Sequence, residues 1–276
     1  MYTAIFSRTY PMKDAARVLG AVAADGYRGV QANLSSAGLA SLPESLPAGL
    51  ASTFGEEARN RGVRIAALSG TYNMAHPDVK FREASRVGFR NVIQAATEMG
   101  TSIVSLCTGS RNEQDMWKFH PENHSAAAWA DFRSELDFAL SLAHESGIRL
   151  AIEPEPANVI HDAKAARRIL DEVASPYLGI ILDAANLLSP ETLGKQHEVI
   201  GEATRLLGHS LLLAHAKDID AEGHVVAPGE GAVDLLSFTR VLRAVGYDDA
   251  LIAHGFREEK TEMAARELER LVGASA

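Results

Sequence analysis

One beat repeats along this chain: a helical stretch, a glycine, then a short β-branched or otherwise apolar run. It appears in ADGYRGVQA around Gly26, NRGVRIAAL around Gly62 and EMGTSIVSL around Gly100. It returns in ESGIRLAIE around Gly147, LGHSLLLAH around Gly208 and AVGYDDALIAH around Gly246. Glycine suits this position because a helix end commonly takes a left-handed residue, which glycine adopts at little cost. The runs that follow are continuous rather than alternating, the pattern of parallel strands buried on both faces. Residues 2–6 (YTAIF) and 178–183 (LGIILD, after Pro176) bring the expected strands to eight. Helical patterns cover 12–24, 47–60, 84–98, 125–145, 162–173, 191–206, 234–244 and 257–272, with Asp162 and Asp234 as expected N-caps.

Eight strand–helix units in 276 residues match the arithmetic of an α/β fold of the (β/α)8 TIM-barrel type. The alternative is a doubly wound open sheet. It calls for a glycine-rich phosphate turn after the first strand, and FSRTYPMKD has none. No linker or low-complexity segment interrupts the pattern, so residues 1–276 are expected to form one domain. The long connections 34–46, 70–83, 108–124, 184–190 and 218–233 would then gather at the barrel mouth, where function sits in such folds. Residues 108–124, rich in polar and aromatic groups, read as a lid or substrate wall.

Four runs in the second half each end on a metal-ligand residue type: LAI before Glu153, GIIL before Asp183, SLLLA before His215 and ALIA before His254. They stand 30, 32 and 39 residues apart, about one strand–helix unit each. In a parallel barrel these strand ends meet at one mouth, bringing two carboxylates and two imidazoles together. Oxygen and nitrogen donors of this kind suit a divalent cation: Mn, Zn, Co or Mg. Taken singly, each residue can as well cap its own strand or bond a nearby loop. Four in consecutive units are harder to account for that way.

Charge and composition narrow the partners. The formal charge is −9, which argues against nucleic acid as a partner and suits a small-molecule enzyme. No apolar run approaches the ~20 residues of a membrane span, and the opening MYTAIFSRTYPMKD lacks the pattern of an export signal. Cys107, the only cysteine, excludes an intrachain disulfide and favours a reducing compartment, so a cytoplasmic location is expected. A homo-oligomer is compatible with all of this.

The segments AIEPEPANVI, GIILDAANLL, LLLAHAKDID and VVAPGEGAVDL resemble the sugar phosphate isomerase/epimerase superfamily, the group with a xylose-isomerase-like barrel that also takes in AP endonuclease-type domains. The His215-Ala216-Lys217-Asp218 and Asp183–Asn186 motifs are the most specific parts. The resemblance implies one divalent metal held by Glu, Asp, His and Glu at the ends of strands five to eight. Glu153, Asp183 and His215 match the first three, and His254 stands at the fourth. In the family the two glutamates commonly form the acid/base pair, so the chain departs at the residue that would complete it. His254 can bind metal or serve as acid/base, its unperturbed pKa of ~6.5 lying near working pH. Glu155 points to the same side of an extended chain as Glu153 and can act as the second carboxylate.

Expected substrate contacts are Asn33, His76, Arg111, Trp117, Lys217 and Arg257. Trp117 offers a flat apolar face to a sugar or packs beneath its loop, and Arg257 opens a helix where an anion can be held. Asp218 is expected to orient His215 or a loop, and Cys107 to be a core residue. The leading expectation is a metal-dependent isomerase or epimerase of a keto-sugar or sugar phosphate. The rivals are a dehydratase or lyase on a keto-sugar or keto-inositol, an AP endonuclease, which needs more ligands and a basic face, and a non-catalytic barrel subunit.

Overall fold

The computed structural model describes residues 1–275. Eight parallel strands close into a barrel: β1 (Tyr2–Phe6), β2 (Gly29–Ala32), β3 (Arg64–Ser69), β4 (Ile103–Leu106), β5 (Arg149–Ile152), β6 (Leu178–Asp183), β7 (Leu211–His215) and, last in the chain, β10 (Ala250–Ala253). β1 pairs with both β2 and β10, which closes the ring and rules out the open sheet. The two remaining strands, β8 (Asp218–Ile219) and β9 (Val225–Val226), form a small antiparallel hairpin beyond β7 that the sequence pattern did not show. Among the described residues no helix is long and apolar enough to cross a membrane.

The helices are α1 (Ala15–Ala24), α2 (Leu50–Asn60), α3 (Val79–Met99), α4 (Ala126–Ser146), α5 (Ala163–Val173), α6 (Gln196–Leu207), α7 (Leu235–Ala244) and α8 (Thr261–Ala274). Asp14, Asp78, Ser125, Asp162 and Asp234 each accept a backbone N–H at a helix start, a cap that contributes ~1 kcal/mol apiece. The caps explain two shifted boundaries. Asp14 delays α1 by three residues against the expected start, and Asp78 starts α3 five residues early. Gly100 and Gly147 are left-handed C-caps as expected. Gly208 is not: its backbone is right-handed, with φ −50°. What it supplies instead is space, since a Cβ there would lie 2.9 Å from the Val245 side chain.

The barrel interior obeys a two-residue period. Ala151, Ile181, Leu213 and Ile252 belong to one buried cluster, separate from the larger core between strands and helices. Two residues further on the same faces stand Glu153, Asp183, His215 and His254. The apolar plug therefore forms the floor on which the polar residues rest. Register matters here. β6 and β7 slip by one residue between Ile180 and Ile181, and this slip sets Asp183 opposite His215.

Asp218 staples the loop beyond β7. Fully buried, it accepts the N–H groups of Gly229, Gly231 and Val233 at 3.0, 3.0 and 3.1 Å. It thus orients a loop, the second of its two expected roles. Asp218→Ala would leave these donors without a partner, and a denaturant titration should show destabilisation of about 3 kcal/mol. An unchanged midpoint would contradict this role.

Candidate metal centre at the barrel mouth

Glu153, Asp183, His215 and His254 converge: their candidate donor atoms all lie within 4.8 Å of one another. Internal bonds hold the group. His215 Nδ1 donates to Glu153 Oε1 at 2.9 Å, and His254 Nε2 to Asp183 Oδ2 at 3.0 Å. Asn186 Nδ2 donates to the same Glu153 oxygen at 3.0 Å, while Asn186 Oδ1 accepts from Lys217 Nζ. The Lys217 ammonium lies 3.6 Å from Asp183 Oδ2 and 4.0 Å from Glu155 Oε1.

The charges are strongly coupled. Burial works against ionisation of Glu153, yet the neighbouring His215 charge prevails and holds its carboxyl at about 2. Burial likewise opposes protonation of His215, and the Glu153 and Asp183 carboxylates overcome it, so His215 is raised. His254 is lowered, first by burial and then by the His215 charge. Glu155 is pushed up to about 7, mainly by burial and next by the Glu153 charge. Lys217 stays protonated: burial pulls it down, but Asp183, Glu155 and Glu153 raise it. Cys107 is driven well up by burial, which fits a core thiol rather than a nucleophile.

The donor set passes the test for a divalent cation. Two carboxylates and two imidazoles face one point, and buried carboxylates call for a compensating positive charge.

Above the cluster opens a cleft of ≈ 560 Å³ lined by Glu153, Glu155, His215, Lys217 and His254, with Asn33 and Trp117 at its walls. That volume falls within the range typical of small-molecule sites. Trp117 is half exposed, and its ring belongs to the long connection between β4 and α4. Three buried carboxamides pin that connection. Asn73, Asn123 and Asn158 accept from the backbone of Ser110, Arg111 and Gly109 at 2.9, 2.7 and 2.9 Å. A Cβ on Gly109 would lie 2.1 Å from Asn73 Oδ1, so only glycine permits this approach. The segment is therefore built as a wall.

Three expected substrate contacts do not line the cleft. His76 accepts the Asp78 N–H at Nδ1, donates from Nε2 to the Glu113 carbonyl and stacks on Phe81. Arg111 is buried against Asp131 (2.6 Å) and the Ala75 carbonyl (3.1 Å). Both hold the wall segment in place. Arg257 is exposed at the start of a 3₁₀ turn, not of α8. In return the cleft presents residues the pattern did not single out: Gln31, Ser69, Thr71, Ser105 and Arg8. Gln31 left a faint signal, a polar residue inside the apolar run GVQA.

Residues 19–272 match the xylose isomerase-like TIM barrel family, and the chain belongs to that family. Its structure resembles a D-tagatose 3-epimerase-like protein at 16% identity, TM-score 0.79, covering 100% of this chain and 98% of the other. It also resembles the IOLI protein with a bound zinc atom, at 18% identity, TM-score 0.74 and coverage of 100% and 98%. A third likeness is the 3-keto-D-glucoside 4-epimerase of E. coli, at 16% identity, TM-score 0.76 and coverage of 99% of each chain. No curated protein matched the chain.

Chelator-treated protein should take up about one equivalent of zinc or cobalt, read by elemental analysis, and Asp183→Ala should abolish uptake. Undiminished metal in that variant would remove Asp183 from the centre.

Proposed function

We propose that this protein is a divalent-metal-dependent isomerase or epimerase acting on a keto-sugar or sugar phosphate by moving a proton next to the carbonyl. The observation that carries the reading is the convergence of Glu153, Asp183, His215 and His254 beside a cleft of small-molecule size, which Glu153, His215 and His254 line. A cation bound by these four would polarise the substrate carbonyl and acidify the adjacent C–H.

The chain's own residues divide the remaining work. His254, kept neutral by its surroundings, has a lone pair suited to ligation and is assigned to the metal rather than to proton transfer. Glu155 is the proton-transfer base. It lines the cleft, follows Glu153 on the same side of the chain, and has a pKa near neutrality, where a base works well. Lys217, a fixed cation beside Glu155 and Asp183, stabilises the negative charge that develops on a substrate oxygen. Trp117 packs against a sugar's apolar face, and Asn33 bonds a hydroxyl.

One observation favours a second outcome from the same first step. Both carboxylates that line the cleft follow β5, and the β10 side offers His254 in their place. With no second carboxylate facing them to return a proton, the enolate can instead expel a hydroxyl from the next carbon as water, which makes the protein a dehydratase. In deuterated water the metal-loaded protein should place solvent deuterium beside the ketose carbonyl without loss of water. Glu155→Gln should slow this exchange on the order of 10²–10⁴-fold at unchanged metal content. Loss of water would establish the dehydratase, and absence of both reactions across a panel of ketoses would refute the enzymatic reading. His254→Glu, which swaps a nitrogen for an oxygen donor, should move metal preference from zinc towards manganese and magnesium in competition binding.

A further inference from the structure

His215 has two hydrogen-bond partners, and only one belongs to the donor cluster. Its Nδ1 meets Glu153, whereas its Nε2 lies 2.8 Å from Oε1 of Gln31, a residue 184 positions away in sequence. Gln31 is 4% exposed, so its carboxamide sits where a barrel would ordinarily place an aliphatic side chain. Its other end is held as well: Gln31 Nε2 donates to Ser105 Oγ at 3.1 Å, and Ser105 is itself buried on β4. With the N–H₂ end turned to Ser105, the carboxamide oxygen is the atom that faces the imidazole. The backbone contributes too. The β2–β3 ladder slips between Val30 and Gln31, which pair with Ile65 and Ala67, a local irregularity of the sort that re-aims a side chain.

We propose that Gln31 is a positioning residue for the metal centre. Its carboxamide oxygen keeps a proton on His215 Nε2, so that Nδ1, on the Glu153 side, is the nitrogen that binds a divalent cation. The proposal rests on the reading of His215 as a ligand. It extends that reading outward to the chain Ser105–Gln31–His215, which spans three strands of the barrel. An outer partner of this kind fixes both the tautomer and the plane of the ring, and its loss typically weakens metal binding about 10- to 100-fold. Gln31 makes no contact with the reacting atoms in this role and is not assigned to proton transfer.

The test uses zinc chloride as the probe and the full chain. Gln31→Leu, of similar length but without an acceptor, should weaken zinc binding by about 10- to 100-fold in calorimetric titration. Gln31→Glu, which restores an acceptor oxygen, should recover most of the affinity. The thermal midpoints of the metal-free variants separate this from a packing defect, because Gln31→Leu should stay folded before zinc is added. Histidine-¹⁵N spectra of the zinc-loaded wild type supply a readout that needs no variant: His215 should carry its proton on Nε2 and none on Nδ1. A proton on Nδ1, or equal zinc affinity in wild type and Gln31→Leu, would overturn the role of Gln31 while leaving the metal centre intact. Failure of the wild type to bind zinc at all would overturn both.

Discussion

Closure of the parallel sheet between β1 and β10 is the constraint on which the rest depends. Once the ring is closed, all eight strand ends point to one mouth, and the two-residue period of extended chain decides what they present there. Ile181, Leu213 and Ile252 fill the interior, each contributing roughly 1.5–3 kcal/mol by burial. The next inward positions are Asp183, His215 and His254. The cluster is therefore an upper layer of the barrel core, with Asp183 and His215 on strands and Glu153 and His254 on the residues that directly follow them. Placement of this kind is what the proposed ligand set would need, since its donor atoms are held close together by the barrel itself.

Burying two carboxylates at that level carries a large desolvation cost unless positive charge stands beside them. The structure meets it with His215 against Glu153 and with Lys217 against Asp183, while neutral His254 donates a hydrogen bond to Asp183. Asn186 ties the two halves by bonding both Glu153 and Lys217. The same crowding separates the roles of two neighbouring glutamates. Glu153 stays ionised because the His215 charge outweighs its burial, whereas Glu155 is pushed up by burial and next by the Glu153 charge. One strand end thus supplies a permanent anion and a titratable one two residues apart.

The cleft wall follows a different logic. Its polar residues are mostly spent on the loop itself: Asn73, Asn123, Asn158, His76 and Arg111 hold backbone groups or Asp131. The side chains this connection turns to the cleft are Met116 and Trp117. A loop so heavily bonded keeps its shape without a packed core of its own.

The eight barrel strands, the eight helices and the residue at the end of each strand were legible in the sequence, because buried parallel strands, helix caps and glycine punctuation are local signals; the β8–β9 hairpin was not. The sequence thereby exposed Glu153, Asp183, His215 and His254 as a set. Which polar residues meet depends on how the ring closes. Gln31 reaches His215 across 184 positions through barrel closure and a one-residue slip of register, and nothing local announces either. His76 and Arg111 read as substrate contacts from their loops, yet packing against Phe81 and Asp131 turned them into supports. The reason is geometric. A slip of one residue moves a strand side chain to the opposite face, so contacts between strand ends depend on register and closure, which are properties of the whole ring.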